Sequence, residues 1–218
     1  MIVPDGIFTF GAAFTDLDND GNQDVCYVRV PCILVLFGKE NSRKTQTLKL
    51  KLIVASDFGT SMLFWNNGDG TFHEGSAEAG FGVDENGMGL SLADYDGDGL
   101  IDVFITAIHD KREYNDISPF GTKGNFLYRN KGNRSFEIAC RGGILDDLGW
   151  GWGAAFLDYD NDGRFEIAAT NGMSFPETTE DDPWNITPDR LYVQRGSGTE
   201  LTWDDYGPEA GFFDEEGR

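Results

Sequence analysis

Between residues 101 and 107 the chain alternates, with Val103, Ile105 and Ala107 on one side and Phe104 and Thr106 on the other. A period of two with β-branched and aromatic residues predicts a strand. The stretch ahead of it, Gly87-Met88-Gly89-Leu90, is small and apolar. It makes a poor helix start and suits a strand packed where space is tight. Gly11-Ala12-Ala13-Phe14 and Gly151-Trp152-Gly153-Ala154-Ala155-Phe156 have the same character. The pattern also recurs at long range. The interval from Asp94 to Asp158 equals that from Phe72 of NNGDGTF to Phe136 of NKGNRSF, and Leu201 falls at nearly the same interval again. Each unit reads strand, acidic loop, strand, variable connection, strand, Gly-rich turn, strand. In the second unit the strands are predicted at 87–93, 101–107, 125–129 and 135–140, with Lys131-Gly132-Asn133 as a hairpin turn. Repeated sets of four short antiparallel strands predict blades of a β-propeller. The expected fold is all-β: a partial propeller of about three four-stranded blades, in units of about 8–80, 81–145 and 146–211.

The acidic loops bring in chemistry. Asp94, Asp96, Asp98 and Asp102 occupy positions 1, 3, 5 and 9 of a nine-residue loop, with Gly99 at position 6. A hard divalent cation such as Ca2+ takes 6–8 oxygens at roughly 2.3–2.6 Å, which alternate side chains of a tight loop can supply. Gly99 permits the positive φ that turns the chain, the carbonyl of Leu100 offers a further oxygen, and Asp102 can close the cage. Asp16, Asp18, Asp20, Asn22 and Asp24 repeat the pattern, as do Asp158, Asp160, Asp162, Arg164 and Glu166. One copy alone would read as a solvated acidic turn; three in register argue for about three Ca2+ ions. An EF-hand would need a Glu at position 12 and flanking helices. That position holds Tyr27, Ile105 and Ala169, and the flanks are strands. Glu166 at position 9 carries an extra methylene, so the third site is expected to be the weaker one.

Composition narrows the function. Gly numbers 29 and aromatic residues make up 13%, as suits a turn-rich β protein. The net charge of −21 argues against nucleic acid and anionic membranes as partners. The loops hold 12 of the 38 acidic residues, so three cations would offset only part of that charge. Cys26, Cys32 and Cys140 form neither a zinc spacing nor a disulfide framework, and a Cys26–Cys32 bridge is undetermined. The N-terminal residues lack the basic and apolar regions of a signal peptide, and no apolar run reaches membrane-spanning length. The sequons Asn133-Arg134-Ser135 and Asn185-Ile186-Thr187 are short enough to be chance, and Pro188 follows the second.

The stretches LFWNNGDGTF, AGFGVDENGMGLSLADYDGDGLIDVFIT and GWGWGAAFLDYDNDGRFEIAATNG resemble FG-GAP/VCBS repeats, as in integrin α-subunit propellers. The nearer likeness is to bacterial proteins of the cartilage acidic protein (ASPIC/UnbV) type. The resemblance implies a calcium-binding propeller, usually of about seven blades, that is extracellular or at the cell surface. It implies Ca2+ on Asp16, Asp18, Asp20, Asp24 and their counterparts. Residues 26–52 depart from the pattern, which would run from DLDNDGNQD almost directly into LIVASDFG. This insert holds Arg29, Lys39, Arg43, Lys44, Lys49 and Lys51 against the single acid Glu40. Two readings stand: a hairpin turning through Gly38–Lys44, or a graft foreign to the repeat. EAGFFDEEGR corresponds to EAGFGVDENG, so the chain stops before a fourth loop would begin. A ring of three such units would leave an edge unpaired, so the remaining blades of a larger protein, or self-association, are expected.

Other motifs read as structural. Asp57-Phe58-Gly59 has none of the companion motifs of a kinase, and Gly89-Leu90-Ser91-Leu92-Ala93 only half-matches a nucleophile elbow. His73 and His109 are expected at the surface, Trp65, Trp150, Trp152 and Trp203 in the core, and Glu177–Asp182 in a solvated loop. No carboxylate pair stands out for catalysis. The sequence is read as a non-catalytic, calcium-stabilised propeller module that binds a protein or carbohydrate. The alternative is the propeller domain of a polysaccharide-processing enzyme such as a lyase.

Overall fold

The computed structural model describes residues 9–15, 24–29, 52–56, 61–67, 71–110, 121–141, 143–172, 188–196, 201–207 and 209–211. Thirteen strands in these residues form three sheets. The first runs β1 (Thr9–Thr15), β2 (Asp24–Arg29), β3 (Leu52–Ser56), β4 (Met62–Asn66), β5 (Phe72–Glu74). The second runs β6 (Gly89–Ala93), β7 (Asp102–Thr106), β8 (Phe126–Asn130), β9 (Phe136–Cys140). The third runs β10 (Gly151–Leu157), β11 (Glu166–Asn171), β12 (Arg190–Arg195), β13 (Thr202–Asp205). Chain order equals spatial order in every sheet, so each grows strand by strand. A short helix, α1 (Ser76–Ala79), links the first sheet to the second.

The second sheet follows the sequence closely. Gly89 pairs with Thr106 and Ala93 with Asp102, and the turn after β8 is closed by Lys131 N–H donating to the Ser135 carbonyl at 2.8 Å. Gly132, Asn133 and Arg134 carry that turn at φ of 70°, 51° and 61°.

While the hairpin reading of the insert, with its turn at Gly38–Lys44, falls outside the described residues, the first sheet corrects the expectation of four strands. It has five strands, and β2 lies between β1 and β3, antiparallel to the former and parallel to the latter, with Val25 opposite Leu52. Parallel neighbours need a long crossover connection, not a tight turn. Residues 30–51 provide that length, and their own course, with the Gly38–Lys44 turn, lies outside the described residues.

The second sheet is covered on both faces, which is why all five residues of β7 are buried where a one-sided strand would alternate. Val103, Ile105, Phe126 and Tyr128 pack with Ile53, Ala55, Leu63 and Trp65 of the first sheet. Phe104 and Leu127, one residue out of phase, pack with Ile167, Ala169, Tyr192 and Trp203 of the third. Burial of each such side chain contributes about 1.5–3 kcal/mol. Sheet contact is closest between β6 and β10. Ser91 Oγ accepts the Phe156 N–H at 2.8 Å, and Thr106 Oγ1 donates to the Trp152 carbonyl at 2.8 Å. A Cβ on Gly89 would stand 2.3 Å from that carbonyl oxygen, so only glycine fits there.

Candidate metal centres

Two of the acidic loops lie within the described residues: 94–101 joins β6 to β7, and 158–165 joins β10 to β11. Their backbones agree. Gly97 and Asn161, at position 4, have φ of 75° and 61°, and Gly99 and Gly163, at position 6, both have φ of 85°. The space around both position-6 glycines is open, so conformation and not crowding requires the glycine. Asn is the side chain that best tolerates such a φ at position 4.

The side chains bind the loop from within. Asp94 Oδ2 accepts the Gly99 N–H at 2.8 Å, and Asp158 Oδ2 accepts the Gly163 N–H at 3.1 Å. Asp96 Oδ1 takes the Asp98 N–H at 3.2 Å, and Asp160 Oδ1 takes the Asp162 N–H at 3.1 Å. The position-9 acids reach back. Asp102 Oδ2 accepts the Tyr95 N–H at 3.1 Å and Oδ1 the Asn130 N–H at 2.7 Å, while Glu166 Oε2 accepts the Tyr159 N–H at 3.1 Å. The extra methylene of Glu166 therefore still reaches the position its shorter counterpart fills.

Positions 1, 3 and 9 converge. Asp94, Asp96 and Asp102 each place a carboxylate oxygen within 4.8 Å of the others, and so do Asp158, Asp160 and Glu166. Two oxygens on opposite sides of a Ca2+ ion stand roughly 4.6–5.2 Å apart, so the spacing suits that ion. Position 5 does not join the group. Asp98 turns to the Leu100 N–H at 2.9 Å, and Asp162 to the N–H of Arg164 at 2.9 Å. The Arg164 side chain also donates to Asp162 Oδ2, at 3.0 and 2.7 Å, and holds that carboxylate below its usual range. Asp16, Asp18, Asp20 and Asn22 lie outside the described residues, and Asp24 opens β2.

Electrostatics single out the position 9 acid of each cluster. Asp102 is wholly buried, and burial pushes its pKa up to about 8, with Asp96 and Asp98 adding to the rise. Burial raises Glu166 as well, with Asp160, Asp162 and Asp158 adding to it. Asp94 Oδ1 has no solvent access and no hydrogen-bond partner among the described residues. A buried acceptor without a donor is costly. A hard cation held by carboxylate oxygens would satisfy it, and this donor set fits one.

The neighbouring strands supply residues that loop spacing alone could not reveal. Asn130 Nδ2 donates to the Ile101 carbonyl at 3.0 Å, and Gln194 Nε2, at the matching place on β12, donates to the Phe165 carbonyl at 2.7 Å. Arg129 on β8 stands over the second loop, with Nε 2.5 Å from Asp96 Oδ2 and Nη2 3.4 Å from Asp98 Oδ2. Val193 holds the corresponding position on β12.

The remaining singled-out residues have structural surroundings. Ser91 is the hydroxyl that receives Phe156. His73 Nδ1 meets Asn67 Oδ1 at 2.6 Å on the surface, and His109 lies 3.4 Å from Asp147. Trp65, Trp150 and Trp203 are buried, and Trp152 stacks on Trp150 while donating to the Gly172 carbonyl. Asp57-Phe58-Gly59 and Glu177–Asp182 lie outside the described residues.

Residues 49–105 match the FG-GAP-like repeat family. The chain is 28% identical over 170 residues to cartilage acidic protein 1 of Homo sapiens, covering 55% of this chain and 25% of that protein. The mouse (Mus musculus) cartilage acidic protein 1 is 27% identical over 170 residues, covering 55% of this chain and 26% of that protein. The chain thus spans about a quarter of the length of the curated relatives it matches. The likeness to FG-GAP repeats of the cartilage acidic protein type, expected from the loop and strand motifs, holds.

Proposed function

We propose, on the premise that this is an FG-GAP repeat chain, that it is a calcium-binding β-propeller module without catalytic activity. Each sheet is then one blade, and the loop after its first strand is its metal site. The observation that carries this reading is the paired convergence of Asp94, Asp96 and Asp102, and of Asp158, Asp160 and Glu166. The unpartnered Asp94 Oδ1 supports it independently. When bound, Ca2+ supplies charge neutralisation among carboxylates that otherwise repel one another. Asp94, Asp96 and Asp102 would hold it in the second loop, Asp158, Asp160 and Glu166 in the third, and Asp16, Asp18, Asp20 and Asp24 in the first.

Position 1 carboxylates tie the loop backbone, while position 9 carboxylates tie the loop to the following strand. Bridging the two fastens the first strand of a sheet to its second. Extracellular modules bind Ca2+ with Kd of about 10⁻⁴–10⁻³ M, a range that fits an outside setting and a part in extracellular protein or carbohydrate binding. Among the described residues no helix is long and apolar enough to cross a membrane. Calorimetric titration of the full chain with Ca2+ tests the reading. About three sites are expected, falling by one in Asp94→Ala, while Ser91→Ala leaves the number unchanged. Absence of any heat of binding, with the chain folded, overturns it.

A further inference from the structure

We propose that Arg129 is a built-in counter-cation of the second loop that lowers its affinity for divalent metal relative to the third. The inference rests on the calcium reading above and adds a ranking between its sites. In both loops the position 3 carboxylate spends Oδ1 on the position 5 N–H: Asp96 on Asp98, Asp160 on Asp162. Each carboxylate oxygen has two acceptor sites, so Oδ2 is not the sole oxygen open to a cation, but it is the one free of the loop backbone. In the second loop Oδ2 faces Arg129 Nε at 2.5 Å. Asp160 has no such partner among the described residues, because Val193 stands where Arg129 would.

The guanidinium is fixed by its strand. Arg129 pairs across β8 and β9 with Glu137, whose Oε1 is 3.7 Å from Nη1. Asp96 is nearly buried and Arg129 about two-thirds so, and the pair is therefore less screened than a surface ion pair. An arginine guanidinium stays charged at every pH at which the chain is folded. Arg164 repeats this role only weakly in the third loop, where its half-exposed charge reaches Asp160 and Glu166 through solvent. Its contacts fall on Asp162, outside the three converging acids, and leave Asp160 Oδ2 untouched. A unit positive charge about 5 Å from a divalent ion costs, at the dielectric of water, enough to weaken binding about tenfold.

The test isolates one loop at a time in the full chain. Asp16→Ala with Asp158→Ala leaves the second loop, and Asp16→Ala with Asp94→Ala leaves the third. Ca2+ titration by calorimetry is expected to show weaker binding at the isolated second loop. Adding Arg129→Val, which copies the third sheet, should tighten the second loop about tenfold and leave the third unchanged. Arg129→Gln keeps the aliphatic stem and should act in the same direction if valine disturbs the fold. Unchanged or weaker binding at the second loop in both variants, with Ca2+ still bound, overturns the role of Arg129 alone. No binding at either loop in folded protein overturns the calcium reading and this inference with it.

Discussion

The second and third loops share one backbone and differ in what surrounds it. Both turn through positive φ at positions 4 and 6, and both gather carboxylates from positions 1, 3 and 9. The second is closed by a fully buried Asp102 and attended by Arg129; the third is closed by Glu166 and attended by Val193. The contrast extends into the sheets. Tyr128 Oη donates to Asp84 at 2.7 Å and accepts the Val83 N–H at 3.1 Å, and Asp84 also receives Ser61. Tyr192, its counterpart in the third sheet, is as deeply buried, but its hydroxyl has no hydrogen-bond partner among the described residues. Leu148 holds the place in the third unit that Asp84 holds in the second. The repeat therefore keeps the geometry that shapes a loop, and lets charge and polarity drift one shell away.

The sharpest way to break the equivalence is at two matching glycines. A Cβ on Gly89 would meet the Trp152 carbonyl oxygen at 2.3 Å and the Ala154 nitrogen at 3.1 Å, both backbone of the neighbouring sheet. Among the described residues, a Cβ on Gly153 would meet only Thr170 Oγ1, at 3.1 Å, within its own sheet. Gly89→Ala should cost about 3 kcal/mol, the top of the usual overpacking range, because backbone cannot step aside. Gly153→Ala should cost less than about 1 kcal/mol. Denaturant unfolding measures both; equal costs would mean that the sheets are not pressed together at Gly89.

Protonation gives the next largest effect. Asp102 titrates at about 8 in the folded chain without metal, against an ordinary 3.8, so the fold binds that proton more tightly than the unfolded chain does. The stability it contributes is present at low pH and is lost as pH rises through about 8. Between pH 5 and 7 the loss approaches about 1.4 kcal/mol per unit, or roughly 2–3 in total. Melts in chelator should fall across that interval, and saturating Ca2+ should flatten the fall. A chelated chain that gains stability from pH 5 to 7 would show that Asp102 is already charged in the fold.

The two buried tyrosines come third. Tyr128→Phe takes the hydroxyl donor from Asp84 Oδ1, with Ser61 still on Oδ2, and should cost about 1–3 kcal/mol. Tyr192→Phe removes a hydroxyl with no described partner and should be neutral or slightly stabilising. A double-mutant cycle with Asp84→Ala locates the loss: Tyr128→Phe should cost little once Asp84 is gone. Equal costs for the two phenylalanine variants would mean that the Asp84 contact carries no net stability.

Loops and strands were legible because their determinants are local. Acids at alternate positions, glycine at position 6 and the alternation of Val103 to Ala107 each act within a few residues of the element they shape. What escaped was set at a distance. A whole strand and a connection separate Arg129 from Asp96, and nothing about a lone strand arginine announces the loop it will face. Ser91 reads as structural from the sequence, but its partner, the Phe156 N–H through which β6 joins β10, lies a whole repeat away. The direction of β2 beside β3 was not legible either, because the apolar alternation that marks a strand carries no sign of its direction. The parallel pairing of Val25 with Leu52 shows itself only in the fold.

The smallest expected effect ranks the two proposed metal sites. With Kd near 10⁻⁴ M and about 1 mM free Ca2+, one site adds about 1.4 kcal/mol to stability, enough to shift a melt by several degrees. Asp94→Ala and Asp158→Ala each delete one position 1 carboxylate, so the gap between melts in Ca2+ and in chelator should narrow in both. Loop chemistry alone ranks the third site lower, because glutamate replaces aspartate at position 9. Two observations reverse that order: Glu166 still reaches the Tyr159 N–H as Asp102 reaches Tyr95, and among the described residues only the second loop has a guanidinium on its position 3 carboxylate. Asp158→Ala should therefore remove more calcium-dependent stability than Asp94→Ala, by up to about 1 kcal/mol. The reverse ranking would return the decision to the extra methylene of Glu166. Identical melts with and without Ca2+ in the unsubstituted chain would remove metal from the account of this fold altogether.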